Sequence, residues 1–124
     1  MKFMLLIWSN PKNWEALSPS DQATLVGEAY DEHAALDAAL LGSGELLISA
    51  ALADPVTMRT IRVRDGVLAS TDGPYAEAKE YLVGYYMVDC DGLERATEIA
   101  ARIPDARWER VEIRPAMDVA GLEM

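Results

Sequence analysis

The sequence predicts an α+β fold, a ferredoxin-like sandwich in which an antiparallel sheet carries two helices on one face. Three observations point there. Two stretches repeat apolar residues at helical spacing, several short runs are apolar or alternating, and the elements follow the order β-α-β-β-(β)-β-α-β.

Phe3 to Trp8 is apolar at nearly every position and ends at Asn10-Pro11, which predicts a buried first strand. Ser9 to Leu17 reads as a polar loop. Ser18-Pro19-Ser20-Asp21 then places an N-cap hydroxyl before a proline whose missing N–H costs nothing in the first turn of a helix. Leu25, Val26, Ala29, Tyr30, His33, Leu36, Ala39 and Leu40 recur every three or four residues, predicting an amphipathic helix of about six turns. Gly42-Ser43-Gly44 stops it.

Glu45–Leu52 and Thr57–Arg64 read as strands separated by Ala53-Asp54-Pro55. Asp65-Gly66 supplies the positive φ values of a type I′ turn leading to Val67-Leu68-Ala69. Glu80–Asp89 is a further strand. Asp91-Gly92 opens a second helix over Leu93–Arg102, with Ala96, Ile99, Ala100 and Ile103 on its apolar side, and Pro104 ends it. Arg107–Arg114 is the last strand, and 116–124 reads as a C-terminal tail or partner-dependent arm.

Two strands are apolar on both faces. Phe3, Leu5 and Ile7 alternate with Met4, Leu6 and Trp8, and Tyr81, Val83, Tyr85 and Met87 with Leu82, Gly84, Tyr86 and Val88. A sheet with one wet face alternates apolar with polar. With only two helices available, the expectation is a homodimer whose two sheets pack face to face.

The length of 124 residues suits one domain, 1–124. Twenty-one acidic against eleven basic residues give a net charge of −10, a field that repels phosphate backbones and anionic membrane surfaces, so neither nucleic acid nor membrane is expected as a partner. The single cysteine, Cys90, excludes an intramolecular disulfide and a multi-cysteine metal site. Ser9 to Asn13 interrupts the apolar N-terminus before a signal or membrane helix could form, and a cytoplasmic protein is expected.

His33 is the only histidine, and Asp37 lies one turn later, within reach of the imidazole. A locally satisfied core histidine and a proton-transfer residue both fit that pattern. No metal is expected, because no ligand-spaced histidine pair or carboxylate cluster accompanies it, and no dinucleotide or phosphate-loop fingerprint suggests a cofactor. Arg59 shares a strand face with Ile61 and Val63, where a guanidinium needs a carboxylate from the protein or from a ligand. In Asp72-Gly73-Pro74-Tyr75 the turn chemistry makes a rigid corner that holds Tyr75 in one direction; Glu77 and Lys79 follow as a salt-bridge set or as the lining of a cleft. Cys90 lies between Asp89 and Asp91, whose charge disfavours a thiolate nucleophile.

Thr71-Asp72-Gly73-Pro74-Tyr75-Ala76-Glu77-Ala78-Lys79-Glu80 resembles the DGPF motif of the YCII-related family, with Tyr75 where phenylalanine is usual. The opening Met1-Lys2-Phe3-Met4-Leu5-Leu6-Ile7, the Arg62-Val63-Arg64-Asp65-Gly66 turn and Val111-Glu112-Ile113-Arg114-Pro115 extend the similarity in the same order. The resemblance implies a dimeric α/β-barrel of ferredoxin-like chains. In some members a histidine on the first helix pairs with an aspartate after the second helix as a proposed active site, and a few relatives act in the breakdown of halogenated aromatic-derived acids. His33 matches the helix histidine, eleven residues before Gly44. The aspartate-bearing segment departs from the pattern, because here Asp105 follows Pro104. Genes resembling this branch also occur beside alternative sigma factors.

These readings lead to two expectations. In the first, a dimer encloses a cleft for a small organic acid and carries out a cofactor-free acid–base step, with His33 as proton-transfer residue, Arg59 as anion anchor, Asp72 and Tyr75 at the rim, and Glu77 and Lys79 lining it. In the second, the chain is a non-catalytic regulatory or protein-interaction dimer, linked to a sigma factor.

Overall fold

The computed structural model describes residues 1–75 and 77–124. Strands β1 (Lys2–Ser9), β2 (Leu46–Ala51), β5 (Tyr81–Asp89) and β6 (Arg110–Pro115) form one antiparallel sheet in the order β2-β5-β1-β6. That order, with helix α2 (Pro19–Ser43) after β1 and helix α3 (Leu93–Arg102) after β5, is the expected ferredoxin-like arrangement.

Strands β3 (Arg59–Arg64) and β4 (Val67–Asp72) do not join this sheet. They form their own two-stranded hairpin, closed by Asp65 at φ 51 and Gly66 at φ 76, the left-handed pair that the Asp-Gly turn requires. The chain is turned away from β2 at Asp54, whose carboxylate accepts the Val56 N–H and starts the 3₁₀ turn Pro55–Thr57. A second difference lies in the segment read as a polar loop. Asn10 caps a short helix α1 (Pro11–Glu15), its Oδ1 accepting the Lys12 N–H at 3.0 Å, with Pro11 at the first position. The cap-then-proline signal that marks α2 at Ser18-Pro19 was present here as well. A third difference is at the last strand: Pro104–Arg107 is a 3₁₀ turn, and β6 begins only at Arg110.

The core lies between the sheet and the helices. Phe3, Leu5 and Ile7 of β1 and Tyr86 and Val88 of β5 meet Leu36 and Leu40 of α2 and Ala96, Ile99 and Ile103 from α3 and its end, all 5% exposed or less. Each fully buried leucine or isoleucine contributes about 1.5–3 kcal/mol. The N-terminal half of α2 behaves differently. Val26 and Tyr30, on the stripe read as sheet-facing, are 57% and 75% exposed, because the helix runs on past the edge of the core. On the opposite face of the sheet Met4, Leu6 and Trp8 register against Met87, Tyr85 and Leu82, an apolar surface of partly buried residues.

Residues 116–124, read as a tail, turn back on the start of β1. Ala116 donates to Lys2 O, the Lys2 N–H donates to Met124 O, and Met124 donates to Ala116 O, while Asp118 accepts two backbone N–H groups of the intervening turn.

Two contacts make the architecture testable. Arg95 of α3 grips Glu45, at the entry to β2, with two N–H groups at 2.8 Å, and this holds the Glu45 carboxyl down to about 2. A carboxylate whose pKa is lowered by folding stabilises fully above its ordinary value of 4.5 and loses that contribution as pH falls toward about 2. Glu45→Gln is expected to lower the melting temperature at pH 7 by about 2–4 °C, with the difference from wild type closing between about pH 4.5 and pH 2 in thermal melts. Gly84 lets β5 approach β2 closely, since a Cβ there would sit 3.0 Å from Ala50 O and 3.5 Å from Ile7 Cδ1. Gly84→Ala is expected to cost about 1–3 kcal/mol in urea unfolding, because a backbone carbonyl has to move to admit the methyl group.

Candidate functional site

Helix α2 crosses the sheet over β5 and β2, and a pocket of about 380 Å³ opens beneath it. Tyr30, His33 and Asp37 contribute its helical wall, Ser49, Ala50 and Ala51 its β2 wall, and Val83, Gly84 and Tyr86 its β5 floor. Ile7 and Asp105 complete it. One-turn spacing along α2 aims Tyr30, His33 and Asp37 the same way. Strand parity puts Tyr86 on the same side as Gly84 and Val88.

His33 is held at both ring nitrogens. Its Nδ1 lies 2.7 Å from the Tyr86 hydroxyl and its Nε2 lies 3.0 Å from Asp105 Oδ1. The two aromatic rings are nearly parallel, inclined by 17°. An ionised carboxylate only accepts hydrogen bonds, so Nε2 carries a proton toward Asp105; when the ring holds a single proton, Nδ1 accepts from the Tyr86 O–H. Burial, reinforced by the neighbouring Asp37 carboxylate, pushes Tyr86 well above the ordinary phenol range, which keeps its proton in place. Asp37 Oδ2 accepts from Ser49 Oγ at 3.3 Å; its Oδ1 is buried without a hydrogen bond of acceptable geometry.

Asp105 reaches His33 although it follows the proline. Ile103 and Pro104 are sealed in the core, and Pro104 starts the 3₁₀ turn at whose first positions Asp105 projects back toward α2. Two positions on, Arg107 binds Glu32 at 2.7 Å, and the guanidinium holds the Glu32 carboxyl below the usual carboxylate range. The Glu32–Arg107 and His33–Asp105 pairs therefore run side by side and dock the turn on the helix.

The other predicted residues lie on or just after the β3–β4 hairpin. Arg59 pairs across it with Asp72 at 3.0 Å, both side chains largely exposed. Asp72 is thus the end of β4 and binds a guanidinium. Gly73 takes φ 78, against the extended geometry that a following proline favours, and its N–H donates to Met58 O at 2.7 Å. Tyr75 accepts from Arg62 Nη2 at 2.9 Å and lines a separate cavity with Trp8, Met58 and Leu82. Glu77 and Lys79 are exposed, and Ala76 of the motif lies outside the described residues. None of these residues lines the His33 pocket.

Sequence reasoning missed Tyr86, Ser49 and the partnership of Asp105. A tyrosine on the core-facing side of a central strand was a usable signal, since a buried phenol hydroxyl needs a partner. Among the described residues no group of three or more His, Cys, Asp or Glu side chains is placed to hold a metal ion, and no helix is long and apolar enough to cross a membrane.

An uncharacterised protein of Rhizobium meliloti (strain 1021) is 35% identical over 75 residues, a stretch covering 59% of this chain and 60% of that relative. The chain thus matches somewhat less than two thirds of that relative's length. The model of the YCII-related domain matches residues 1–119, and on that match the protein belongs to the YCII-related family.

Proposed function

We propose that the pocket under α2 is the site of a cofactor-free acid–base step on a small organic molecule. The observation that carries this reading is the imidazole of His33, clamped between Tyr86 and Asp105 at the wall of a ligand-sized cavity. Asp105 orients the ring and stabilises the imidazolium that forms on protonation. Tyr86 is the relay: as a proton bound to carbon next to a substrate carbonyl passes to its oxygen, its own proton passes to His33 Nδ1. In a β,γ-unsaturated ketone the electron pair left behind moves to the carbonyl oxygen as a dienolate, and return of the proton at the γ-carbon completes an isomerisation. A small organic acid fits only with its carboxylate turned away from Asp37 and Asp105. Arg59, engaged with Asp72 on the hairpin, does not line this pocket as an anchor.

We further infer that two copies associate through the outer sheet face, where Met4, Leu6, Trp8, Leu82, Tyr85 and Met87 are only partly buried in the single chain. The hairpin favours a second reading, a non-catalytic interaction dimer. Its Ile61, Val63, Val67 and Leu68 are each more than half exposed, on a two-stranded unit that is marginal alone.

Catalysed exchange of α-protons for deuterium in a panel of small ketones and keto acids, followed by NMR, tests the enzymatic reading. His33→Ala is expected to slow exchange at least about 100-fold and Asp105→Asn about tenfold, with thermal melts confirming that the variants fold. Exchange that survives His33→Ala would remove His33 from the chemistry. For association, light scattering after size-exclusion chromatography is expected to give twice the 13.6 kDa chain mass, and Leu6→Glu to halve it.

A further inference from the structure

A second cavity, of about 350 Å³, lies beside the first, and Asp105 and Val83 belong to the linings of both. Its lining is of opposite character. Trp14, Leu17, Leu25, Val26 and Trp108 surround it, and its polar edge is spent internally. Glu109, at that edge, accepts from Ser9 Oγ, the Asn10 N–H and Asn13 Nδ2 at 3.2–3.3 Å, which ties β1 and α1 together and fixes the Trp14 wall. The cavity also accounts for the apolar residues that α2 does not bury: Val26 is 57% exposed because it faces this space and not the core. The same helix presents Ala29 to one cavity and Tyr30 and His33 to the other, so the His33–Asp105 pair stands at their junction.

Charge decides what the first cavity takes. Its lining offers two carboxylates, Asp37 and Asp105, with His33 as the single basic side chain, and no lysine or arginine. An anionic head is repelled there.

We propose that the ligand of the His33 site is an uncharged carbonyl compound with an apolar tail, its head among His33, Tyr86 and Asp37 and its tail in the Trp14–Trp108 cavity. This rests on the acid–base reading above and adds the substrate class to it. Burial of each methylene against that wall strengthens binding until the cavity is filled.

Isothermal titration of the full chain with alkan-2-ones of increasing length tests it, together with NMR of the His33 imidazole. Affinity is expected to rise about fourfold per added methylene over the first several carbons, with the imidazole resonances shifting on binding. Carboxylates of matched length are expected to bind at least about tenfold more weakly. Trp14→Ala should flatten the length dependence, and Val26→Ser, at an exposed position that does not endanger folding, should flatten it in part. Ketones that shift His33 with no dependence on length would overturn the tail cavity while leaving the acid–base reading standing. Length-dependent binding that leaves His33 unmoved, or no binding at any length, would overturn both. Carboxylates that bind as tightly as ketones would overturn the uncharged head.

Discussion

A phenol hydroxyl buried in the middle of a sheet has to find a partner, and the arrangement around Tyr86 follows from that constraint. Tyr86 is 3% exposed on the core side of β5, where its ring packs with Phe3, Leu5 and Val88 and its hydroxyl meets only what α2 brings over the sheet. An unsatisfied hydroxyl there would cost about 1–3 kcal/mol. His33 Nδ1 meets the need, which fixes the imidazole tautomer and leaves Nε2–H to be satisfied in turn by Asp105. Stability and potential chemistry thus draw on one chain of hydrogen bonds.

The position of that chain depends on where the core ends. Leu36 and Leu40 anchor the C-terminal half of α2 to the sheet, whereas its N-terminal half overhangs and leaves space beneath. Gly84 keeps the floor low, and the turn at Pro104–Arg107 closes the side through Ile103 and Pro104, which are buried, and Arg107, which is tied to Glu32. A site placed at the margin of a core has rigid walls on one side and access to solvent on the other, which suits groups that must hold geometry and still meet a ligand.

Charge is distributed unevenly over these parts. The chain carries ten more acidic than basic residues, yet three of its arginines, Arg59, Arg62 and Arg64, lie on the hairpin. The pocket keeps two carboxylates, and Arg107, two residues beyond Asp105, is already engaged with Glu32. Electrostatic selection at the site is therefore made by Asp37 and Asp105 against a single imidazole.

Much of the fold was legible in the residues themselves. Local signals such as Ser18-Pro19, Gly44, Asp65-Gly66 and Pro104 act within a few residues of chain, so helix α2, the hairpin turn and the end of α3 fall where those signals place them. The two-sided apolar pattern of β1 and β5 predicts a second sheet packed on the first; within the chain these two strands form the centre of the sheet. His33 stood out as the single histidine, on helix α2. What the sequence left open is everything that depends on contacts across long stretches of chain. That Asp105 meets His33 across 72 positions, that Tyr86 lies between them, and that Arg59 pairs with Asp72 well away from that pocket are consequences of how helices dock on the sheet. Periodicity also could not tell a residue facing the core from one facing a cavity, because both lie on the same helix face; Val26 and Leu36 share a stripe, and only the length of sheet beneath the helix separates their roles.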